Sequence, residues 1–220
     1  ISPMVLRLGK DAIPTHMVQV AMPEYSPTLT VTTAAAATVI AAGKKLYYRG
    51  QKSIFGTGEE LGAFDAYTPV VRHLEQFTLS NESDTIQDLA SSFGYVAVLS
   101  KMGEVYVFGH RLPWGAENVA PGSTASRIQL TEPAKSMSCS RDCMAIVTVS
   151  GDLYTCGSGN APLGRDGPKN QFRQVELEKE LHQAFCTEKD GLTIVYTDGT
   201  AHHCRTPAAG GTVADSRWPH

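Results

Sequence analysis

A short motif returns four times along this chain, and its spacing constrains the fold more than any other feature. Each copy follows an X-Gly pair and is a β-prone stretch whose second residue is Tyr or His. The copies are Leu46–Gly50, Val105–Gly109, Leu153–Gly157 and Ala201–Arg205. Their last residues lie 59, 48 and 48 positions apart. A return at such a period predicts a repeat architecture, in which each unit packs against its neighbours.

The X-Gly pair before each copy predicts a tight hairpin, because glycine accepts the positive φ that a two-residue turn needs. The pairs are Ala42-Gly43, Met102-Gly103, Ser150-Gly151 and Asp198-Gly199. The stretch before each turn is apolar at nearly every position, as in Val96–Leu99. Such a stretch is typical of a strand that is buried on both faces. We therefore expect these hairpins to form the inner part of the blades of a β-propeller.

After each motif, a longer polar loop leads to a weaker strand. The start of the chain has the same arrangement, since Leu8–Asp11 leads to Met17–Val20. We therefore expect an all-β fold of four-stranded antiparallel blades in a single domain. The predicted units are a half-blade at 1–28, blades at 30–80, 86–133 and 134–181, a half-blade at 184–205, and a tail at 206–220. A β-sandwich is the alternative, but it does not explain why hairpin and loop return together every 48 residues.

The pattern resembles the regulator-of-chromosome-condensation repeat, the unit of a seven-bladed β-propeller. The best match is Ala90–Gly109, and the second runs from Cys139 to Gly157 with Asn160–Gly164. The turn glycines and the spacing fit, whereas the signature side chains mostly do not. The family's His position holds Tyr95, Cys143 and Gly191, and its Trp position holds Arg49, Phe108, Cys156 and Cys204. The resemblance therefore implies a divergent copy of this repeat.

About three complete blades and two half-blades are fewer than the family's ring contains. An open arc is the form that we expect. A four-bladed ring is the alternative, in which the strands at 1–22 complete the blade begun at 184–205. Propellers have roughly four to eight blades, so such a ring lies within their range.

Several classes of chemistry lack the residues that they need. His202 and Cys204 have no second ligand pair at zinc-site spacing, and Gly56–Gly62 lacks the Lys-Ser/Thr of a phosphate loop. No nucleophile-elbow spacing appears, and the paired carboxylates lie in polar loops. The formal net charge is −3, with no basic stripe, which argues against nucleic-acid readout. We expect no catalytic activity, no metal, no cofactor and no membrane span.

The five cysteines are in no framework spacing. Reduced thiols in an intracellular, reducing compartment are the expected state, in the cytoplasm or a mitochondrion. The chain starts at Ile1, so a processed organellar protein and a piece of a longer regulatory multidomain protein both stay open.

Propellers bind through the loops on their faces, and loop residues carry function more often than strand residues. The loop that precedes each strand before an X-Gly turn, and the long loop after each motif, should emerge at the same end because the hairpin reverses the chain. Aromatic and arginine side chains are the usual anchors of binding energy. The candidate binding residues in these loops are Phe93, Tyr95, Arg111, Trp114, Arg141, Asp142, Arg165, Lys189 and Asp190. The alternative for the aromatic residues is packing between blades.

Together these features favour a non-catalytic interaction or scaffold subunit that binds protein partners within a larger complex. The family resemblance implies a second candidate, guanine-nucleotide exchange on a small GTPase.

Overall fold

The computed structural model describes residues 4–6, 18–20, 29–34, 37–50, 72–74, 77–92, 94–109, 112, 125–159, 161–187 and 191–204. Within these residues the regular structure consists of β-strands, which form one two-stranded and four larger antiparallel sheets. The predicted all-β fold of four-stranded antiparallel blades is confirmed.

The strands follow one another in simple up-and-down order within each sheet. The two-stranded sheet pairs β1 (Met4–Leu6) with β2 (Val18–Val20). The first four-stranded sheet contains β3 (Leu29–Ala34), β4 (Ala37–Ala42), β5 (Lys45–Gly50) and β6 (Arg72–His73). The second contains β7 (Ile86–Ser91), β8 (Tyr95–Ser100), β9 (Val105–Gly109) and β10 (Ser126–Ile128). The third contains β11 (Ala134–Cys139), β12 (Cys143–Thr148), β13 (Leu153–Gly157) and β14 (Arg173–Val175). The last contains β15 (Leu181–Thr187), β16 (Gly191–Tyr196) and β17 (Ala201–Cys204).

The X-Gly hairpins form as predicted, and their strands are deeply buried. Every residue of β8, β9, β12 and β13 is buried, as expected for strands covered on both faces. The first strand of each sheet contacts the first strand of the next, since β3 contacts β7, β7 contacts β11 and β11 contacts β15. The hairpin strands are the middle pair of each four-stranded sheet, and their position at the inner part of the blade stays a prediction.

The last sheet also differs from the predicted half-blade at 184–205. It begins at Leu181 and has three strands, because β15 precedes the hairpin of β16 and β17. Within the described strands, this sheet makes no extensive strand contact with the sheet of β3. The sheets are therefore not closed into a full ring.

The hydrophobic core lies between neighbouring sheets. One cluster joins the first and second four-stranded sheets, with Val39 and Leu46 facing Val96 and Tyr106. A second cluster joins Tyr95 and Val107 to Met144 and Ile146 of the third sheet. A third joins the third sheet to the last, where Leu153 and Ile194 are fully buried. Each described sheet is thus held mainly by the sheet before it and the sheet after it.

Candidate interaction surface

In the third four-stranded sheet, the two loops that the sequence placed at one end lie side by side. Cys143 at the start of β12 pairs with Gly157 at the end of β13, so the connection into β12 and the connection out of β13 lie side by side. We call the described loops 140–142, 158–159 and 161–172 the loop face. The X-Gly turns lie at the opposite end of the sheets.

The two loops are in close contact. The backbone N–H of Ser158 donates a hydrogen bond of 2.9 Å to the carbonyl oxygen of Asp142. A Cβ on Gly157 would lie 2.5 Å from that oxygen, a distance that a side chain does not tolerate. Glycine is required at this position because it lets the backbone of the long loop reach the loop of residues 140–142.

Arg165 organises the long loop from inside. Its guanidinium group donates to Thr155 Oγ1 at 3.1 Å and to the carbonyl oxygens of Thr155 at 2.9 Å and Gln171 at 2.8 Å. It also donates to the carbonyl oxygens of Asp166 at 3.3 Å and Pro168 at 3.0 Å. Partial burial lowers the pKa of this guanidinium, but arginine keeps its charge in proteins. The planar fork satisfies several backbone acceptors at once, which fixes the loop around one side chain.

Lys169 holds the other side of the same loop. Its ammonium group donates to the carbonyl oxygens of Gly159 at 3.0 Å and Ala161 at 3.1 Å. The carbonyl oxygen of Lys169 accepts a bond of 2.7 Å from the backbone N–H of Gly157. Between these anchors residues 166–171 are exposed. The loop face therefore presents an exposed polar segment on a backbone that is fixed by internal hydrogen bonds.

Of the predicted binding residues, Arg141 and Asp142 lie exposed on the loop face. Arg165 is half-buried, and its guanidinium binds the chain's own carbonyl groups. Lys169 was not among the candidates, since its role depends on backbone atoms for which the sequence has no signal. Five candidates fall outside the described residues: Phe93, Arg111, Trp114, Lys189 and Asp190.

Tyr95 is not on the exposed surface. Its exposed fraction is 0%, and its hydroxyl donates to the carbonyl oxygens of Ser140 at 2.8 Å and Cys143 at 3.2 Å. These bonds join β8 of one sheet to the loop before β12 of the next. Tyr95 thus packs between blades, which is the alternative interpretation of the aromatic candidates. Burial raises the pKa of its phenol well above the usual value.

In the described part of the chain, no group of three or more His, Cys, Asp or Glu residues is arranged to hold a metal ion. The same residues contain no helix with the length and apolarity that a membrane crossing requires.

Comparisons with known proteins identify the fold. No protein-family model and no curated protein sequence matches the chain. Among solved structures, human WBSCR16 matches with a TM-score of 0.65 and 14% identity, over 84% of this chain and 50% of that one. Prp20p from Saccharomyces cerevisiae, whose structure was described with its binding to Gsp1p and histones, has a TM-score of 0.65 and 14% identity over 86% of this chain and 48% of that one.

The computationally designed protein Ika4 matches with a TM-score of 0.51 and 9% identity, over 85% of this chain and 96% of that one. The chain thus spans about half the length of the natural structures named above. Its strand order, the packing of its sheets and these likenesses agree. The chain has the fold of a divergent RCC1-like β-propeller, with its sheets not closed into a full ring.

Proposed function

We propose that this chain is a non-catalytic protein-interaction module that binds a partner protein through its loop face, within a multi-subunit assembly. The observation that carries the proposal is the internal fixing of the long loop by Arg165 and Lys169. A surface loop that is ordered before binding loses less conformational entropy when a partner arrives, so more of its contact energy appears as affinity.

The chemistry of this surface suits a protein partner. Residues of both signs, Arg141 and Lys169 beside Asp142 and Asp166, are exposed within the same small region. A surface of mixed charge complements another mixed protein surface. It does not provide the cluster of Lys and Arg that a nucleic-acid backbone needs. The likeness to Prp20p supports the proposal at the level of the fold.

The test uses a charge swap that keeps the composition. The full chain is tagged, proteins that copurify are identified by mass spectrometry, and the complex is rebuilt from purified components. We expect the double variant Arg141→Asp with Asp142→Arg to weaken partner binding by at least about tenfold, since it reverses local charges. The matched control, Glu132→Lys with Lys135→Glu, swaps exposed charges near the X-Gly turn end and should change the affinity less than about twofold.

Titration calorimetry on the purified pair measures both effects. Equal loss of affinity in the swap and the control would contradict the assignment of the loop face. A chain that stays a monodisperse monomer and recovers no stoichiometric partner would contradict the interaction function itself.

A second candidate function is guanine-nucleotide exchange on a small GTPase. It is supported by the fold likeness to Prp20p and by the reported binding of that protein to Gsp1p. Release of a fluorescent nucleotide from a panel of purified small GTPases tests it directly. Acceleration by catalytic amounts of the chain would favour exchange activity over a purely structural role, and no acceleration across the panel rejects it.

A further inference from the structure

Three of the five cysteines meet where the second, third and last large sheets adjoin. Cys139 ends β11, Cys143 begins β12 and Cys186 lies on β15. The Tyr95 hydroxyl, from β8, reaches the same place by its bond to the carbonyl oxygen of Cys143. Sequence spacing gave no sign of this cluster, because Cys186 is 43 residues from Cys143 and belongs to another sheet.

Cys143 and Cys186 lie at the same boundary between two sheets. Cys186 packs against the small cluster that contains buried Cys143. Ser140 Oγ lies 3.2 Å from Cys143 Sγ. The backbone N–H of Cys186 donates a bond of 2.9 Å to Ser138 Oγ, which fixes β15 against β11. Both cysteines are thus fixed at this boundary by contacts of their own.

Their surroundings give the two sulfurs different chemistry. The neighbouring Cys186 side chain and the hydrogen bond with Ser140 lower the pKa of the Cys143 thiol. The neighbouring Cys143 side chain and burial raise the pKa of Cys186 well above its usual value. A thiolate is the nucleophilic form of cysteine, whereas a thiol beside it can close a disulfide. Burial raises the pKa of the third thiol, Cys139, to about 12, so Cys139 stays protonated and unreactive.

We propose that Cys143 and Cys186 form a dithiol that a hydroperoxide oxidises to a disulfide between neighbouring sheets. The inference rests on the packing of the two sheets and is independent of the function proposed for the loop face. The site is a modification site, and its co-reactant is a small peroxide such as hydrogen peroxide.

The reaction balances in two steps. The Cys143 thiolate attacks one peroxide oxygen, the O–O bond breaks, and the departing hydroxide takes up a proton as water, which leaves a sulfenic acid on Cys143. The sulfur of Cys186 then attacks the Cys143 sulfur, the S–O bond breaks, and the hydroxyl leaves as water with the Cys186 proton. Two thiols and one hydrogen peroxide give one disulfide and two waters.

The disulfide would act on the loop face as well as on the core. Residues 140–142 lie directly before Cys143, and their backbone already holds Tyr95 through Ser140. A covalent bond from Cys143 to Cys186 fixes this loop to the last sheet. It also restricts the unfolded chain, so the oxidised form should resist denaturant better than the reduced form.

The test is peptide mapping of the intact, folded chain after mild hydrogen peroxide treatment. Trypsin cuts after Arg141, so Cys139 and Cys143 fall on different peptides, whereas Cys186 lies on peptide 180–189. After peroxide treatment, we expect the number of free thiols counted in the denatured chain to fall from five to three. Peptide 142–165 should then be joined to peptide 180–189. Fragment spectra must place the bond on Cys143 and not on Cys156. Dithiothreitol should restore five thiols.

The variants Cys143→Ser and Cys186→Ser should each abolish the bond, while the matched control Cys156→Ala should keep it. The oxidised wild-type chain should unfold at a higher denaturant concentration than the reduced chain. Because peptide mapping of wild-type protein needs no variant, the proposal stays testable if a variant fails to fold. Oxidation that yields only sulfinic or sulfonic acids, a bond that includes Cys139, or a bond between two molecules would overturn it.

Discussion

Tyr95 shows how a single side chain can join two repeats. Its ring is buried among residues of the second and third four-stranded sheets, and its hydroxyl proton is shared by the carbonyl oxygens of Ser140 and Cys143. Both carbonyl groups belong to buried residues on either side of the exposed Arg141 and Asp142, and the Cys143 oxygen also accepts a bond of 2.8 Å from the backbone N–H of Ser140. The phenol therefore contributes both apolar contact and the satisfaction of buried acceptors, and the second contribution is lost if only the hydroxyl is removed.

Tyr95→Phe should lower the free energy of unfolding by about 2 kcal/mol, since it removes a buried hydroxyl that donates to two carbonyl groups and keeps the ring. It should also change the response to alkali. Burial raises the pKa of Tyr95 in the folded state, so its stabilisation is complete below the ordinary tyrosine pKa of about 10 and is lost as pH rises above it. The wild-type chain should thus lose more stability above this pH than the variant. Urea unfolding at neutral pH and at alkaline pH measures both differences.

The comparison between the two proteins isolates the phenol. Burial raises the pKa of the Cys156 thiol to about 12, and this group weakens both proteins equally in alkali, whereas the Cys139 thiol interacts with Tyr95 and belongs to the effect of the phenol. Identical alkaline slopes in wild type and variant would contradict the role given to the Tyr95 hydroxyl.

The position of Tyr95 also shows what a repeat alignment could not reveal. The equivalent residues are Cys143 and Gly191, and the three have different tasks. Cys143 lies in the cluster against which Cys186 packs, whereas a Cβ on Gly191 would lie 2.3 Å from the carbonyl oxygen of Cys204. The sequence placed Tyr95 correctly at the loop end of its strand. Whether its ring turns outward or towards the next sheet depends on packing between sheets, which one chain's pattern does not specify.

Among the elements, the X-Gly turn does more than reverse the chain. The carbonyl oxygens of three of the four turn glycines accept a bond from the first residue of the next sheet: Ile86 to Gly43 at 2.8 Å, Ala134 to Gly103 at 2.9 Å, and Leu181 to Gly151 at 3.3 Å. The turn of one sheet therefore positions the first strand of the following sheet. Glycine is needed at Gly103 for two reasons, a φ of +82° and the closeness of Pro133 and Ala134.

The two requirements can be separated with a pair of alanine substitutions. Gly103 and Gly199 have φ values of +82° and +84°, but a Cβ at Gly103 would lie 2.5 Å from Pro133 Cβ, while at Gly199 nothing lies within 4 Å. Gly199→Ala should cost about 1 kcal/mol of stability for the left-handed conformation alone. Gly103→Ala should cost about 2 kcal/mol more, because the next strand must move. Thermal and urea unfolding measure the difference, and equal costs would show that the contact with the next sheet contributes nothing.

The same turns explain which strands could be predicted. An X-Gly pair between two apolar stretches predicts the hairpin strands, and these strands form as predicted. The first strands were given no ranges, and three of the four contain a register shift after the first residue, between Ile86 and Asp88, Ala134 and Ser136, and Leu181 and Gln183. The extra residue moves the next buried position from the third to the fourth place. Since a bulge breaks the two-residue alternation, these strands lack the usual pattern of a half-buried strand.

The loop face was predictable in part for a similar reason. Hairpin reversal places the loops of one sheet at the same end, and this inference needs only the strand order. The exposed positions of Arg141 and Asp142 follow from it. The inward orientation of Arg165 does not, because its partners are carbonyl oxygens of a loop whose path is fixed only in three dimensions.

At the scale of the whole molecule, stability is organised by pairs of neighbouring sheets. Each main core cluster contains residues of two adjacent sheets, and no described cluster joins the sheet of β3 to the sheet of β15. An array that is held in this way approximates a one-dimensional chain of coupled units, whose stability is a sum over units and nearest-neighbour interfaces. The destabilisation caused by a local substitution should therefore decrease with distance along the array. In a single core shared by all sheets, it would not decrease in this way.

Two large-to-small substitutions at opposite ends of the array test this arrangement. Ile194, in the last sheet, and Leu46, in the first four-stranded sheet, are both fully buried, and replacing either by alanine should cost about 3 kcal/mol locally. In native-state hydrogen exchange, Ile194→Ala should speed exchange most in β15–β17, less in β11–β14 and least in β3–β6. Leu46→Ala is the matched control and should give the reverse order. A uniform rise in exchange across all four sheets in both variants would show that the molecule unfolds as one cooperative unit, and the nearest-neighbour description would then fail.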